Sequence, residues 1–495
     1  MRWFVRCAVT ASVVAACTTW AAEPKQPAEK GWQDRLTFTL SDRVRGEFVD
    51  WFQPALSKAP AGAHRYDFLA NQLRPGLRLE LPHLLVVVEG QDTRLVNLPD
   101  DASAPNPSKA GNLGPGALYY ANTRSRDQGE SFLKQGYATV KDLPGLAGIS
   151  LTAGRFDYSD GLETIPADAA LAWVKRARVG ERLIGPFGFT HVTRSLDGVK
   201  LVYDQPSFNL TALGSRPTAG GFEVSANREL GIYVAGLAAT LKQIEGMTPL
   251  DARLFYLYYR DNRDHAAKVD NRAKAVREAD RKDIEVHTLG SHAVTVVEVG
   301  PGKADGLLWG ALQAGDWGQL DHFAWAYAVE GGYQFPKVPA SPWVRLGYNR
   351  SSGDDDGTDQ IHHTFMQLIP TARAYAQFPF YNLMNSEDLF AQLIVKPTST
   401  ITIRSDYHWL RATNSADLWY SGGGATSPTF FGYAGLPTGG NRELAHLLDL
   451  GITVAVTKQV TAYGYCAHAF GQGIARSTYE GASANYGYVE LTYRY

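Results

Sequence analysis

The sequence predicts an all-β chain: a transmembrane antiparallel β-barrel of about eighteen strands, of the outer-membrane type. Three observations carry that expectation. Segments of about ten residues alternate apolar and polar side chains almost to the last residue, the length a tilted strand needs to cross a bilayer. Tyr and Trp gather at segment ends, as in Trp51-Phe52, Tyr119-Tyr120, Tyr256 to Tyr259 and Trp419-Tyr420, which reads as aromatic girdles. The chain also stops on Tyr493-Arg494-Tyr495, an aromatic last residue on an alternating strand.

Composition narrows the field before any motif is read. The 495 residues are 44% apolar, 12% aromatic and 20% charged, with 49 Gly and 25 Tyr but only 4 Met and 3 Cys, which excludes a disulfide scaffold, a coiled coil and a disordered polyampholyte. Beyond the N-terminus no apolar run approaches the roughly 20 residues of a spanning helix. A net charge of −2 excludes a basic nucleic-acid binder.

The N-terminus sets the compartment. Arg2 and Arg6 precede an uncharged, mostly apolar stretch from Cys7 to Cys17, and Ala21-Ala22 gives way to polar Glu23-Pro24-Lys25. That is the layout of a secretory signal peptide over residues 1–22, too short for a membrane anchor. Val14-Ala15-Ala16-Cys17 also resembles a lipobox, which would make Cys17 a lipidated terminus. Removing 1–22 takes away two arginines and no acid, moving the net charge from −2 to −4. It leaves Cys466 alone, expected to be a buried small apolar residue. A leader over 23–31 then enters one barrel domain, 32–495.

Alternation identifies the strands one by one. Leu36, Phe38, Leu40 and Val44 oppose Thr37, Thr39, Ser41, Arg43, Arg45 and Glu47. Leu448, Leu450, Ile452, Val454 and Val456 share one face against Asp449, Gly451, Thr453 and Ala455. At the end, Val489, Leu491, Tyr493 and Tyr495 oppose Glu490, Thr492 and Arg494. Period 2 gives one apolar and one polar face. A soluble β-assembly would share it, but closure into a barrel is what hydrocarbon demands of strands. With Tyr495 on the periplasmic side, Thr457-Lys458-Gln459 is a short periplasmic turn, whereas 413–442 and 471–485 lie outside. The segment 261–285, with seven acids and seven bases, reads as a solvated loop.

Five ordered blocks over residues 130–495 resemble the alginate export family of outer-membrane porins. They are Gln135-Gly136-Tyr137, Leu151 to Arg155, Thr193 to Leu201 with its Asp197-Gly198, Arg345 to Gly357 continuing through Phe365 to Thr371, and Asp406-Tyr407-His408-Trp409 with Asp417-Leu418-Trp419-Tyr420. The resemblance implies a monomeric barrel in the outer membrane of a Gram-negative bacterium, exporting an anionic uronate polysaccharide through an arginine-rich constriction. Periplasmic polysaccharide-secretion proteins would deliver the polymer. Guanidinium groups suit uronate carboxylates because they form paired, charge-assisted hydrogen bonds.

Strand parity nominates the lining: Arg43, Arg45, Arg74, Arg78, Lys200, Arg345, Arg404 and His408. Arg494 is expected inward near the periplasmic mouth. Arg155 shares parity with outward Ile149 and Leu151, so only the resemblance, or a bulge at Gly154, argues it inward. No catalytic residue, metal or cofactor is expected. Asp354-Asp355-Asp356 with Asp359 lacks the alternating ligands of a calcium loop and reads as solvated. His362-His363 has no Cys or carboxylate at ligand spacing, and no Gly-x-Ser-x-Gly elbow argues for an enzyme. An anion-selective uptake porin for small organic acids is the alternative, and a plugged surface receptor a third reading.

Overall fold

The computed structural model describes residues 35–54, 63–103, 112–143, 146–242, 249–263, 266–371 and 377–495. The expected signal peptide, leader and Cys17 lie outside these residues. Eighteen antiparallel strands close into one barrel. In chain order they are β1 Leu36–Asp50, β2 Arg65–Glu80, β3 Leu84–Val96, β4 Gln128–Leu143, β5 Leu146–Phe156, β6 Leu196–Asp204, β7 Phe208–Pro217, β8 Ile232–Leu241 and β9 Leu250–Asp261. The second half is β10 Ile284–Val299, β11 Gly302–Trp317, β12 Leu320–Gln334, β13 Trp343–Ser351, β14 Ser386–Val395, β15 Ile401–Ala412, β16 Glu443–Ala455, β17 Val460–Gly471 and β18 Ser483–Arg494. Each strand pairs with its sequence neighbour, and β1 pairs with β18, from Ser41 opposite Arg494 to Asp50 opposite Asn485. Backbone bonds join Leu40 and Tyr495 in both directions, at 3.1 and 2.8 Å.

Burial runs opposite to that of a soluble sheet. The apolar face of the strands is the exposed one: Leu346 is 61% and Val489 63% accessible, with Leu448, Leu491 and Phe38 alike. A continuous exposed belt of large apolar side chains is stable only against lipid. Cys466 joins that outer face rather than a core, because its neighbours Tyr465 and Ala467 take the inward positions. The connection at 457–459 is short and those at 413–442 and 472–482 are long, as the alternation predicts.

The core lies inside the barrel, where inward strand residues meet loops that fold back from the long-loop rim. Residues 157–195 include a helix, α1 (Ala169–Val174), whose N-cap Asp168 accepts from the Leu171 amide at 2.8 Å and which runs into a wider turn at Lys175–Val179. Its Leu171 and Val174 are buried among strand residues such as Val294 and Trp309. The loops also bond each other: Ile184 forms a parallel bridge with Ile369.

Three expectations need correction here. Trp51, Phe52, Tyr119, Trp419 and Tyr420 form no girdle; they are buried, and Phe52 packs 5.3–6.2 Å from Trp51, Phe380, Trp419 and Tyr479 in an aromatic cap under the loops. Aromatics at a strand end serve a loop core as readily as an interface. The 261–285 segment is not simply solvated, since Lys268, Asp270, Arg272 and Asp280 are buried in mutual ion pairs and Trp317 donates to Asp270 at 2.9 Å. Asp354 and His362 are likewise fully buried, the His362 ring stacked 3.9 Å from Trp317.

Candidate functional site: the lumen and its cations

Parity places eight of the nine nominated cations inward: Arg43 and Arg45 on β1, Arg74 and Arg78 on β2, Lys200 on β6, Arg345 on β13, and Arg404 and His408 on β15. Arg494 has inward parity at the short-turn mouth, two residues from buried Thr492. Arg155 is the correction. Gly154 adopts φ +124°, where a Cβ would meet the Gly136 carbonyl at 2.3 Å, yet pairing with β4 continues without a slip across it. Buried Thr152 and Phe156 therefore hold the inward positions, and Arg155 faces out. There it forks onto Asp197 at 2.6 Å and reaches Asn227 at 2.7 Å. It lines an outer groove with Arg216, Tyr233, Tyr258 and Arg260.

Inside, all of these cations but Lys200 are tied to partners. Arg43 donates to the Gly188 and Thr190 carbonyls at 2.8 and 2.6 Å. Arg45 donates to Glu490 at 2.6 Å and to the Phe189 carbonyl at 2.9 Å, its guanidinium held between the Phe189 and Tyr488 rings. Arg74 reaches Gln91 and Thr193 Oγ1 at 2.8 and 3.1 Å. These bonds strap one end of the 157–195 loop to β1–β3, helped by Gln72 and Gln91 on the His191 and Val192 carbonyls. At the mouth Arg78 pairs with Glu80 at 3.0 Å.

The other end of the same loop reaches the far wall. Arg178 and Arg182 donate to Glu330 on β12, and Arg345 donates to both Glu330 and Asp305 at 3.2 and 2.9 Å. All three guanidiniums are buried. Lys175 pairs with Asp251 at 2.7 Å, and Arg253 with Asp160 and Glu163 at 2.7 Å each. The loop thus crosses the lumen as a strap anchored on opposite walls. Lys200 has no hydrogen bond or salt bridge among the described residues and stands 5.7 Å from the Phe156 ring. Arg404 donates through Nε and Nη2 to one oxygen of Asp406, and His408 Nδ1 sits 2.9 Å from Asp388.

On the strap, His191 is wholly buried, its Nε2 2.8 Å from Glu47. Burial foremost, with the neighbouring Arg45 and Arg43 charges, pushes its imidazole down to about 4, against the opposing pull of Glu47. Parity could not find Lys175, Arg178, Arg182 or Arg194, because they sit in a connection. A signal was present: Lys175-Arg176-Ala177-Arg178 is a basic run in a long loop, and only an inward fold distinguishes it from a solvated surface.

The alginate export family matches residues 35–485. Among curated proteins nothing matches. Solved structures with the same fold include Acinetobacter baumannii OccAB1 (TM-score 0.57, 10% identity, 96% of this chain and 99% of that chain covered). Pseudomonas aeruginosa OccK9 (OpdG) aligns at TM-score 0.53 and 11% identity over 94% and 99%. Pseudomonas aeruginosa OpdK with vanillate aligns at TM-score 0.54 and 9% identity over 92% and 98%. Fold and family are those of transport channels. With an apolar belt outside, a strapped polar lumen inside and a family match over nearly the whole barrel, the chain is an outer-membrane β-barrel channel of a Gram-negative bacterium and belongs to the alginate export family.

Proposed function

We propose that this channel passes an anionic polysaccharide, a polyuronate such as alginate, outward along guanidinium groups of the lumen. The observation that carries the reading is the convergence of Arg178, Arg182 and Arg345 on Glu330 and Asp305, three guanidiniums on two carboxylates within that cluster. A guanidinium facing the path offers charge-assisted donors to a carboxylate, Arg178 Nη1 has no hydrogen-bond partner among the described residues, and several weak sites in series let a polymer move on. The family match supports this substrate class. The polymer would arrive from periplasmic secretion proteins at a single barrel preceded by a signal peptide over 1–22 and a leader over 23–31. Arg43, Arg45, Arg74, Arg78, Lys200, Arg345, Arg404 and His408 remain the proposed lining, and the reading invokes no cofactor.

Single-channel conductance tests it. Oligouronates should block the reconstituted channel, block should deepen with chain length, and Arg345→Lys should weaken it because an ammonium cannot fork. A second reading, passive uptake of small organic acids, is favoured by the 157–195 strap, since one inward loop is what narrows a diffusive porin. Under that reading small aromatic acids permeate, and block does not depend on oligouronate length.

A further inference from the structure

We propose that β14, β15 and β16 carry a binding site for a single divalent transition-metal ion of the Zn²⁺ class, built from Asp406, His408 and Asp449. The strand register makes the cluster. Asp406 stands directly opposite Asp449 on one side and Gln392 on the other, and His408 lies two residues along the same inward face. A ring nitrogen of His408 and carboxylate oxygens of Asp406 and Asp449 all lie within 4.8 Å of one another, and all three residues are buried. One imidazole with two carboxylates is a nitrogen and oxygen donor set that suits such ions.

The surroundings are those of a ligand site. Asp388 lies 2.9 Å from His408 Nδ1; accepting that proton turns the ring and leaves Nε2 with the lone pair, as the carboxylate–histidine–metal arrangement requires. Tyr465 donates to Asp449 at 3.0 Å and Gln392 to Asp406 at 2.9 Å, so the carboxylates are themselves oriented. Two buried oxygens are left over: neither the Tyr381 hydroxyl nor Gln392 Oε1 has a hydrogen-bond partner among the described residues. Tyr381 comes from the inward residues 377–385, its ring 6.3 Å from that of His408 and its hydroxyl in the field of Asp388, Asp449 and Asp406, opposed by Arg178. Buried polar atoms without partners are rare in a settled fold and ask for an occupant. Charge leaves room for a cation: the three carboxylates of Asp388, Asp406 and Asp449 face the guanidinium of Arg404 and, beside Asp388, that of Arg178, which is already forked onto Glu330. An ion held by the wall and by Tyr381 would pin that loop to the barrel.

The test uses the full-length folded barrel in detergent. Protein stripped with EDTA is loaded with Zn²⁺, desalted and assayed for metal by mass spectrometry. Wild type should retain one equivalent more than His408→Gln or Asp449→Asn, with heat-modifiable migration reporting that both variants are folded. Loading with Co²⁺ should give visible absorption of a nitrogen and oxygen site that the same variants lose. Tyr381→Phe, which keeps the ring packing, and Asp388→Asn, one shell out, should each weaken retention by about tenfold or more. Equal retention by wild type and the His408 and Asp449 variants would overturn the site. So would a loss reproduced by removing outward-facing His287, or no effect of Tyr381→Phe and Asp388→Asn.

Discussion

Arg178 donates to both oxygens of Glu330, at 2.8 and 2.9 Å, and neither side chain is accessible. The bond joins a loop that has left the rim to a wall strand on the far side of the lumen. Pairs of this kind contribute little over an apolar contact, but removing one partner strands a buried charge. The strap's position is therefore sensitive to single substitutions at its anchors.

Replacing Glu330 with Gln should loosen the strap and make the lumen more cationic. Breaking such a pair typically costs about 3–5 kcal/mol. Arg178 and Arg182 would then lose their carboxylate partner, and Arg345 would keep Asp305. Reversal potentials in a KCl gradient should move toward the anion limit, and protease cleavage within 157–195 should accelerate. An unmoved potential would place these groups off the conducting path.

Lys200 is the cleanest probe of lumen charge, because it can be changed without orphaning a partner among the described residues. Lys200→Glu should shift selectivity toward cations without altering heat-modifiable migration. Arg404→Glu should instead destabilise the wall, since a new carboxylate would face Asp406 and Asp449 without its counter-charge. The selectivity shift should fade as ionic strength approaches 1 M, where the screening length is about 3 Å.

Acid should release the strap. His191 is buried with its pKa pushed down to about 4, whereas the unfolded chain protonates near 6.5. Between those values the released state binds the extra proton, so stability is complete above pH 6.5 and falls as pH drops toward 4. The shift corresponds to about 3 kcal/mol. Proteolysis of the 157–195 segment in the folded barrel, measured from pH 7.5 to 4.5, should accelerate across that window. His191→Gln should flatten the dependence; an equally steep profile in that variant would assign the effect elsewhere.

Deleting Tyr493-Arg494-Tyr495 should prevent assembly and leave a protease-sensitive, non-heat-modifiable form. Tyr493 pairs with both Asp42 and Val460, and Tyr495 exchanges backbone bonds with Leu40. Normal migration of the truncated chain would show that closure does not depend on this end.

The barrel was legible because period-2 alternation is a local signal that repeats in every strand, and it told inward from outward for Arg43, Arg74, Lys200 and Arg404 without any contact information. It even told correctly at Arg155, where parity and resemblance disagreed and parity held. What it could not convey was depth or company. Arg345 and Arg178 are 167 residues apart in sequence and meet only through Glu330. Nor does composition say whether a long connection stays in water, so neither the aromatic cap around Phe52 nor the buried ion pairs of 261–285 can be read from it.

The seam between β1 and β18 has a consequence in time. Arg45 meets Glu490 across 445 positions of sequence, so a part-built barrel keeps two open edges until its last strand arrives. Closing so long a loop is entropically slow, and exposed edges invite pairing with other chains. The time β1 spends unpartnered, from export to closure, is therefore the interval in which this chain is open to mispairing.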